Sequence, residues 1–183
     1  MNFRQDEEHQ DILEMVHDFA VNEVKPLAAE IERTEEFPMK NVKMMAEMGL
    51  MGIPFPEEYG GAGMDTLAYI QTVEELSKYC ASTGVILSAH TSLCATPIYQ
   101  FGSEEQKQKY LPKLCSGEWI GAFALTEPNA GTDASGQQTV AVDAGDHWVL
   151  NGSKIFITNA GVADVFFVLA MTEKCKKRLK LKD

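Results

Sequence analysis

Two short runs hold the side chains best suited to chemistry: Ala122–Asp133, AFALTEPNAGTD, and Asn151–Asn159, NGSKIFITN. Each sets hydroxyl, amide and glycine residues at a turn, flanked by β-branched or aromatic stretches. That arrangement lets backbone amides and threonine hydroxyls face a flat polar ligand. In the first run Leu125-Thr126 ends a strand, Pro128 stiffens the turn, and Gly131-Thr132 permits close approach of the backbone. In the second, Phe156-Ile157-Thr158-Asn159 ends a strand and enters a turn. By residue type alone each run also reads as a plain strand-to-loop turn, because Gly, Asn and Pro are the usual turn residues. The residues define a candidate ligand cleft and leave its ligand open.

Other chemistries are poorly supplied. The four cysteines, Cys80, Cys94, Cys115 and Cys175, form no C-x-x-C pair and have no histidine at ligand spacing, so no zinc site is expected. So few cysteines in 183 residues suggest reduced thiols and not a disulfide scaffold. His90 sits in an apolar stretch with no second ligand at i+4 and reads as a satisfied core histidine. A net charge of −11 argues against nucleic acid, whose phosphates demand a basic surface. No apolar run reaches the ~18 residues needed to span a bilayer. The start, MNFRQDEEHQ, lacks the basic and apolar regions of a secretory signal, so a cytoplasmic protein is expected.

The elements that must position the two runs divide into a helical and a β half. Ile12, Val16, Phe19, Ala20, Leu27 and Ile31 make one apolar stripe at helical spacing over Asp6–Glu32, where Pro26 should kink or divide the helix. Pro38–Met48 is a second helix closed by Gly49, and Gly49–Asp65 is a Gly- and Pro-rich loop. Thr66–Cys80 and the apolar Thr83–Phe101 follow as helices. Ser103-Glu104-Glu105-Gln106 is a capping box that opens a short helix toward Tyr110, with Leu111-Pro112 ending it or starting another turn. From Trp119 the period changes. Ile120–Thr126, Gln138–Val142, His147–Leu150, Lys154–Thr158 and Val165–Met171 are expected as strands, with hairpin signals at Ala144-Gly145-Asp146 and Asn151-Gly152. The fold class expected is α+β: an all-α domain over 1–117, then the first strands of an antiparallel sandwich or barrel-like domain over 118–172. The end, 173–183, holds six of the 16 Lys and Arg residues and breaks the alternation.

Both motif runs resemble those of the acyl-CoA dehydrogenases. An L-T/S-E-P-x-x-G-S/T-D motif is matched by Leu125, Thr126, Glu127, Pro128, Gly131, Thr132 and Asp133. An N-G-x-K-x-[W/F]-I-T-N motif is matched by Asn151, Gly152, Lys154, Phe156, Ile157, Thr158 and Asn159. GLMGIPFPEEYGGAGMD at Gly49–Asp65 and FGSEEQKQKYLPKLCSGE at Phe101–Glu118 are similar to family segments too. ILSAHTSLCATPIYQFG looks most like the short-chain, butyryl-CoA branch.

The resemblance implies FAD as cofactor and a short acyl-CoA as substrate. It implies α,β-dehydrogenation to the enoyl-CoA, with electrons passed to an electron-transferring flavoprotein, and a homotetramer in the family. Phe123, Ala124, Leu125 and Thr126 would line the isoalloxazine edge, with Gly131 and Ile157 alongside the cofactor. Thr132 would touch both flavin and substrate, Phe156 would pack on the ring face remote from substrate, and Thr158 would bond near N5. Glu127 is implied to be a structural turn residue, and Tyr59-Gly60-Gly61 to border the acyl entrance. The family's base is a Glu in a C-terminal helical domain that this sequence does not contain, so no catalytic residue is assigned here. The basic end at 173–183 resembles no family segment and reads as a truncated or frameshifted end. The alternative expectation is a catalytically incompetent fragment that retains packing or partner binding.

Overall fold

A computed structural model describes residues 6–172. The basic run at 173–183 lies outside the described residues. The first described element is α1 (Glu7–Phe19), whose N-cap Asp6 accepts the His9 amide. A π-helical turn, Ala20–Val24, joins it to α2 (Lys25–Thr34). Pro26 was expected to kink or divide the run; instead the helix widens just ahead of it, and the Lys25 amide reaches back to the Ala20 carbonyl. A proline cannot donate and crowds the carbonyl four residues earlier, which a wider turn relieves.

Next come α3 (Met39–Glu47) and α4 (Thr66–Tyr79), the latter capped by Asp65. The Gly49–Asp65 loop between them contains two short 3-10 turns, Leu50–Gly52 and Glu57–Tyr59. Its Leu50, Met51, Ile53, Phe55 and Tyr59 side chains are buried, so this loop is part of the core. Gly61 permits the tight fold, since a Cβ there would sit 2.1 Å from the Phe55 carbonyl oxygen.

A single helical run then comprises α5 (Ala81–Ser88), a second π-helical stretch Ala89–Ala95, and α6 (Thr96–Phe101). Here too a proline, Pro97, stands in the first turn after the wide segment. The capping box at Ser103 and Gln106 opens α7 (Glu104–Cys115). That helix runs past Tyr110 with Pro112 inside it, because Leu111, Leu114 and Cys115 are buried on its inner face and outweigh one missing amide bond. Cys80, Cys94 and Cys115 are free and buried, and burial pushes the Cys94 and Cys115 thiols up to about 11 and about 12.

After α7 the chain forms β1 (Gly121–Ala124), β2 (Val140–Asp143), β3 (Trp148–Asn151) and β4 (Val165–Val168). The class is α+β, a helical N-terminal part plus a few strands. β2 and β3 form the expected antiparallel hairpin, pairing Val140 with Asn151 and Asp143 with Trp148. β1 and β4 run parallel, Gly121 opposite Val165, where strand alternation had suggested antiparallel order throughout. The long connection between them, which holds the whole hairpin, supplies the crossover that parallel pairing requires.

Lys154–Thr158, expected as a strand, is irregular. Phe156 takes a left-handed φ of 55°, which no ladder accommodates, and Ile155 donates to the Thr126 carbonyl instead. Beyond β4, Met171 exchanges backbone bonds with Thr139 and Ala141, bringing this end of the described chain alongside β2.

Candidate functional site

The strand that carries the first motif is fixed to the helices by one buried histidine. His90, fully buried in the second π-helical stretch, accepts the Gly121 amide at Nδ1 (3.0 Å). Its Nε2 lies 3.1 Å from the Leu114 carbonyl and must carry the proton to donate there. Burial holds this imidazole neutral, with its pKa pushed down to about 4. Gly121 comes so close that a Cβ would meet the Cys94 Cβ at 2.7 Å. Just before it, the Ile120 amide donates to Asp164 Oδ2 (2.9 Å), which fixes the approach to β4.

Along β1 the half-buried Phe123 stacks on Phe167, with ring centroids 6.1 Å apart, and Ala124 is buried. Leu125 and Thr126 continue past the strand end. There Lys154 from the second motif reaches across. Its Nζ donates to the Leu125 carbonyl (2.7 Å), to Glu127 Oε1 (2.8 Å) and to Gln137 Oε1 (3.2 Å). Glu127 also accepts the amides of Gln138 (2.6 Å) and Thr139 (2.9 Å), and its own backbone closes a turn with Ala130. With the Lys154 ammonium foremost among its donors, the buried Glu127 carboxyl is held down at about 2. Near neutral pH it is an anion that accepts from three protein donors and holds the turn.

The second turn is docked by Asn159, in left-handed backbone with φ 69°. Its Nδ2 donates to the Ile86 carbonyl of α5 (3.2 Å) and to the Gly121 carbonyl of β1 (3.0 Å). The Thr126–Ile155 backbone bond, the Lys154–Glu127 pair and Asn159 therefore set both motif turns on one framework. Thr158 and Asn159 line a cleft of about 400 Å³ with Phe37, Val85 and Ile86.

Of the nine predicted site residues, Leu125, Thr126, Phe156, Ile157 and Thr158 are brought together at this junction, and Phe123 and Ala124 lead into it. Phe156 points an aromatic ring outward, 89% exposed. Gly131 and Thr132 lie exposed beyond the Glu127–Ala130 turn, with open space around Gly131. Among the described residues, the hydroxyls of Thr126, Thr132 and Thr158 make no protein hydrogen bond that would occupy them. Lys154, Asn159 and His90 carry the framework; the sequence names the first two as motif residues and the third as a core histidine, but not their side-chain partners, which stand 17 to 73 residues away. A larger cleft of about 640 Å³ between α6, α7 and β4 is lined by Asp164 and Phe167 from this neighbourhood and by none of the nine. No group of three or more His, Cys, Asp or Glu among the described residues could hold a metal ion, and no described helix is long and apolar enough to cross a membrane.

Two family models match the chain, one after the other. Residues 6–118 match the family model of the acyl-CoA dehydrogenase N-terminal domain, and residues 122–181 match that of the acyl-CoA dehydrogenase middle domain. A short-chain specific acyl-CoA dehydrogenase of Clostridium acetobutylicum is 65% identical over 176 residues, which is 96% of this chain and 46% of the relative. The structure of butyryl-CoA dehydrogenase from Megasphaera elsdenii superposes with a TM-score of 0.90 at 48% identity, covering 96% of this chain and 47% of that one. An acyl-CoA dehydrogenase complexed with FAD from Bacillus anthracis gives 0.87 at 42% identity, covering 92% of this chain and 29% of that one. The chain spans about half the length, or less, of the proteins it matches.

Proposed function

Because the chain belongs to the acyl-CoA dehydrogenase family, we propose that its two joined turns form one wall of an FAD site. The reaction that wall serves is α,β-dehydrogenation of a short, butyryl-CoA-like thioester to the enoyl-CoA. Electrons then go to an electron-transferring flavoprotein, and the assembly is a homotetramer. The observation that carries this reading is the Lys154–Glu127 pair, which holds the two motif turns together. That junction leaves threonine hydroxyls and an exposed ring available to a flat, polar-edged ligand. The C. acetobutylicum and M. elsdenii proteins support the short-chain substrate, and the FAD-bound B. anthracis protein supports the cofactor.

In this proposal Phe123, Ala124, Leu125 and Thr126 lie along the isoalloxazine edge, with Thr126 donating to the pyrimidine end. Gly131 gives the backbone close approach, and Thr132 reaches the point where cofactor and thioester meet. Ile157 backs the turn, and Phe156 covers the ring face away from substrate. The Thr158 hydroxyl bonds near N5. FAD, when bound, supplies the hydride acceptor. No residue of this chain is assigned as the α-proton base.

Titration of FAD into the purified chain tests the wall directly. The flavin absorbance and fluorescence should shift on binding. Lys154→Met, which parts the turns, and Thr158→Val should each weaken that shift. Free-flavin spectra at high protein concentration, or equal binding by both variants, would refute it.

A further inference from the structure

The starts of α1 and α4 are joined by one side chain placed between two helix caps. Asp6 Oδ1 caps α1 by accepting the His9 amide (3.0 Å), and Asp65 Oδ1 caps α4 by accepting the Ala68 amide (2.9 Å). The His9 ring lies between them, with Nδ1 2.5 Å from Asp6 Oδ1 and Nε2 3.0 Å from Asp65 Oδ1. His9 itself is only 9% exposed.

Counting donors decides the protonation state. An ionised carboxylate can only accept, and a neutral imidazole has a single N–H. Both ring nitrogens face carboxylate oxygens, so both contacts are hydrogen bonds only when the ring carries two protons. We propose that His9 is a protonated latch that ties the first turn of α1 to the first turn of α4 and releases as the pH rises. This latch is separate from the motif turns and independent of the function proposed for them.

The charged groups around the ring fit this assignment. Asp6 faces it from the cap of its own helix and Asp65 from the cap of α4, and neither carboxylate has a lysine or arginine partner among the described residues. Glu7 and Glu8 add exposed negative charge in the same first turn. The α1 dipole opposes a cation at this end, but two adjacent carboxylates outweigh its partial charge. Hydrogen bonds to Asp6 and then Asp65 raise the His9 pKa. Asp6 is lowered, chiefly by His9, and Asp65 is lowered by the Ala68 amide and then by His9.

The pH window follows from those directions. The histidine contribution is complete below its ordinary value of 6.5 and is lost as pH rises through the raised folded value. The carboxylate contributions are complete above 3.8 and are lost as pH falls through the lowered folded values. The latch is therefore strongest between those two limits. Farther along the same seam Glu75 accepts from His17 (2.8 Å) and Lys78 (2.6 Å). That second tie confines the opening to the first turns.

Long-range proton–nitrogen spectra of the full chain, recorded from pH 5 to 9, read the ring directly. The expected result is a doubly protonated His9 ring at pH 6.5 with its midpoint higher still. Asp65→Asn keeps an N-cap side chain, so the fold survives, and it should lower the midpoint. Amide exchange at His9 and Ala68 should accelerate beyond its intrinsic pH dependence as the midpoint is passed, and at lower pH in Asp65→Asn. In His9→Gln that excess dependence should vanish. A midpoint at or below 6.5, or one unmoved by Asp65→Asn, would overturn the proposal even if His9→Gln fails to fold.

Discussion

Acidification should undo the junction between helices and strands through His90. In the folded chain this ring is neutral, accepting from Gly121 and donating to Leu114, with its pKa at about 4. In the unfolded chain it titrates near 6.5. Between those values the unfolded state binds the extra proton, so stability is complete above 6.5 and falls as the pH drops toward 4. A gap of roughly 2.5 units, at about 1.4 kcal/mol per unit, makes the loss about 3 kcal/mol. Urea unfolding of the wild type and of His90→Gln, at steps from pH 7.5 to 4, measures it. The variant lacks the titrating ring, so the stability difference between the two proteins should shift by about 3 kcal/mol across that range, at the wild type's expense as the pH falls. Taking the difference removes His9, Asp6 and every other group the two proteins share. Parallel stability curves would refute the account, since they would mean that His90 binds its proton equally in both states.

Three further outcomes follow from close contacts and exposure. Gly121→Ala would force a Cβ against Cys94 and should cost about 1–3 kcal/mol in urea unfolding. Ser103→Ala removes half of the α7 capping box, and the midpoint should fall by an amount equivalent to about 1 kcal/mol. Phe156→Ala should leave thermal stability within about 0.5 kcal/mol, because the ring is 89% exposed, while weakening FAD binding. Destabilisation with unchanged flavin affinity would remove Phe156 from the proposed wall.

Local signals in the sequence were enough for the helices. The Ser103–Gln106 box acts within three residues of the backbone groups it satisfies, and the apolar stripe of α1 recurs at three- and four-residue spacing. Prolines were harder to read. Pro26 and Pro97 are absorbed by π-helical turns and Pro112 by a buried helix face, outcomes set by packing that a local rule does not see. Lys154–Thr158 looks like a strand because Ile and Phe favour strands, yet Phe156 is left-handed and Ile155 spends its amide on Thr126. The candidate site was legible as two motif turns, not as a joined structure. What joins them is Lys154 on Glu127, Asn159 on Ile86 and Gly121, and His90 on Gly121, all bonds between residues distant in the chain.

The Gly49–Asp65 loop, with its five buried side chains, also determines where this chain can be cut or lengthened. It is a long irregular connection, the usual choice for a protease site, a tag or a new pair of termini. Yet Leu50, Met51, Ile53, Phe55 and Tyr59 fill the interior, and Gly61 lies against Phe55 with no room to spare. Opening the backbone there would pull core residues into water, so tolerance has to be judged by burial and not by loop length. The tip of the β2–β3 hairpin, Ala144 to His147, is short and fully exposed, and one backbone bond from Ala144 to His147 closes it. An inserted epitope or a circular permutant should be accepted at that tip and rejected in the longer loop.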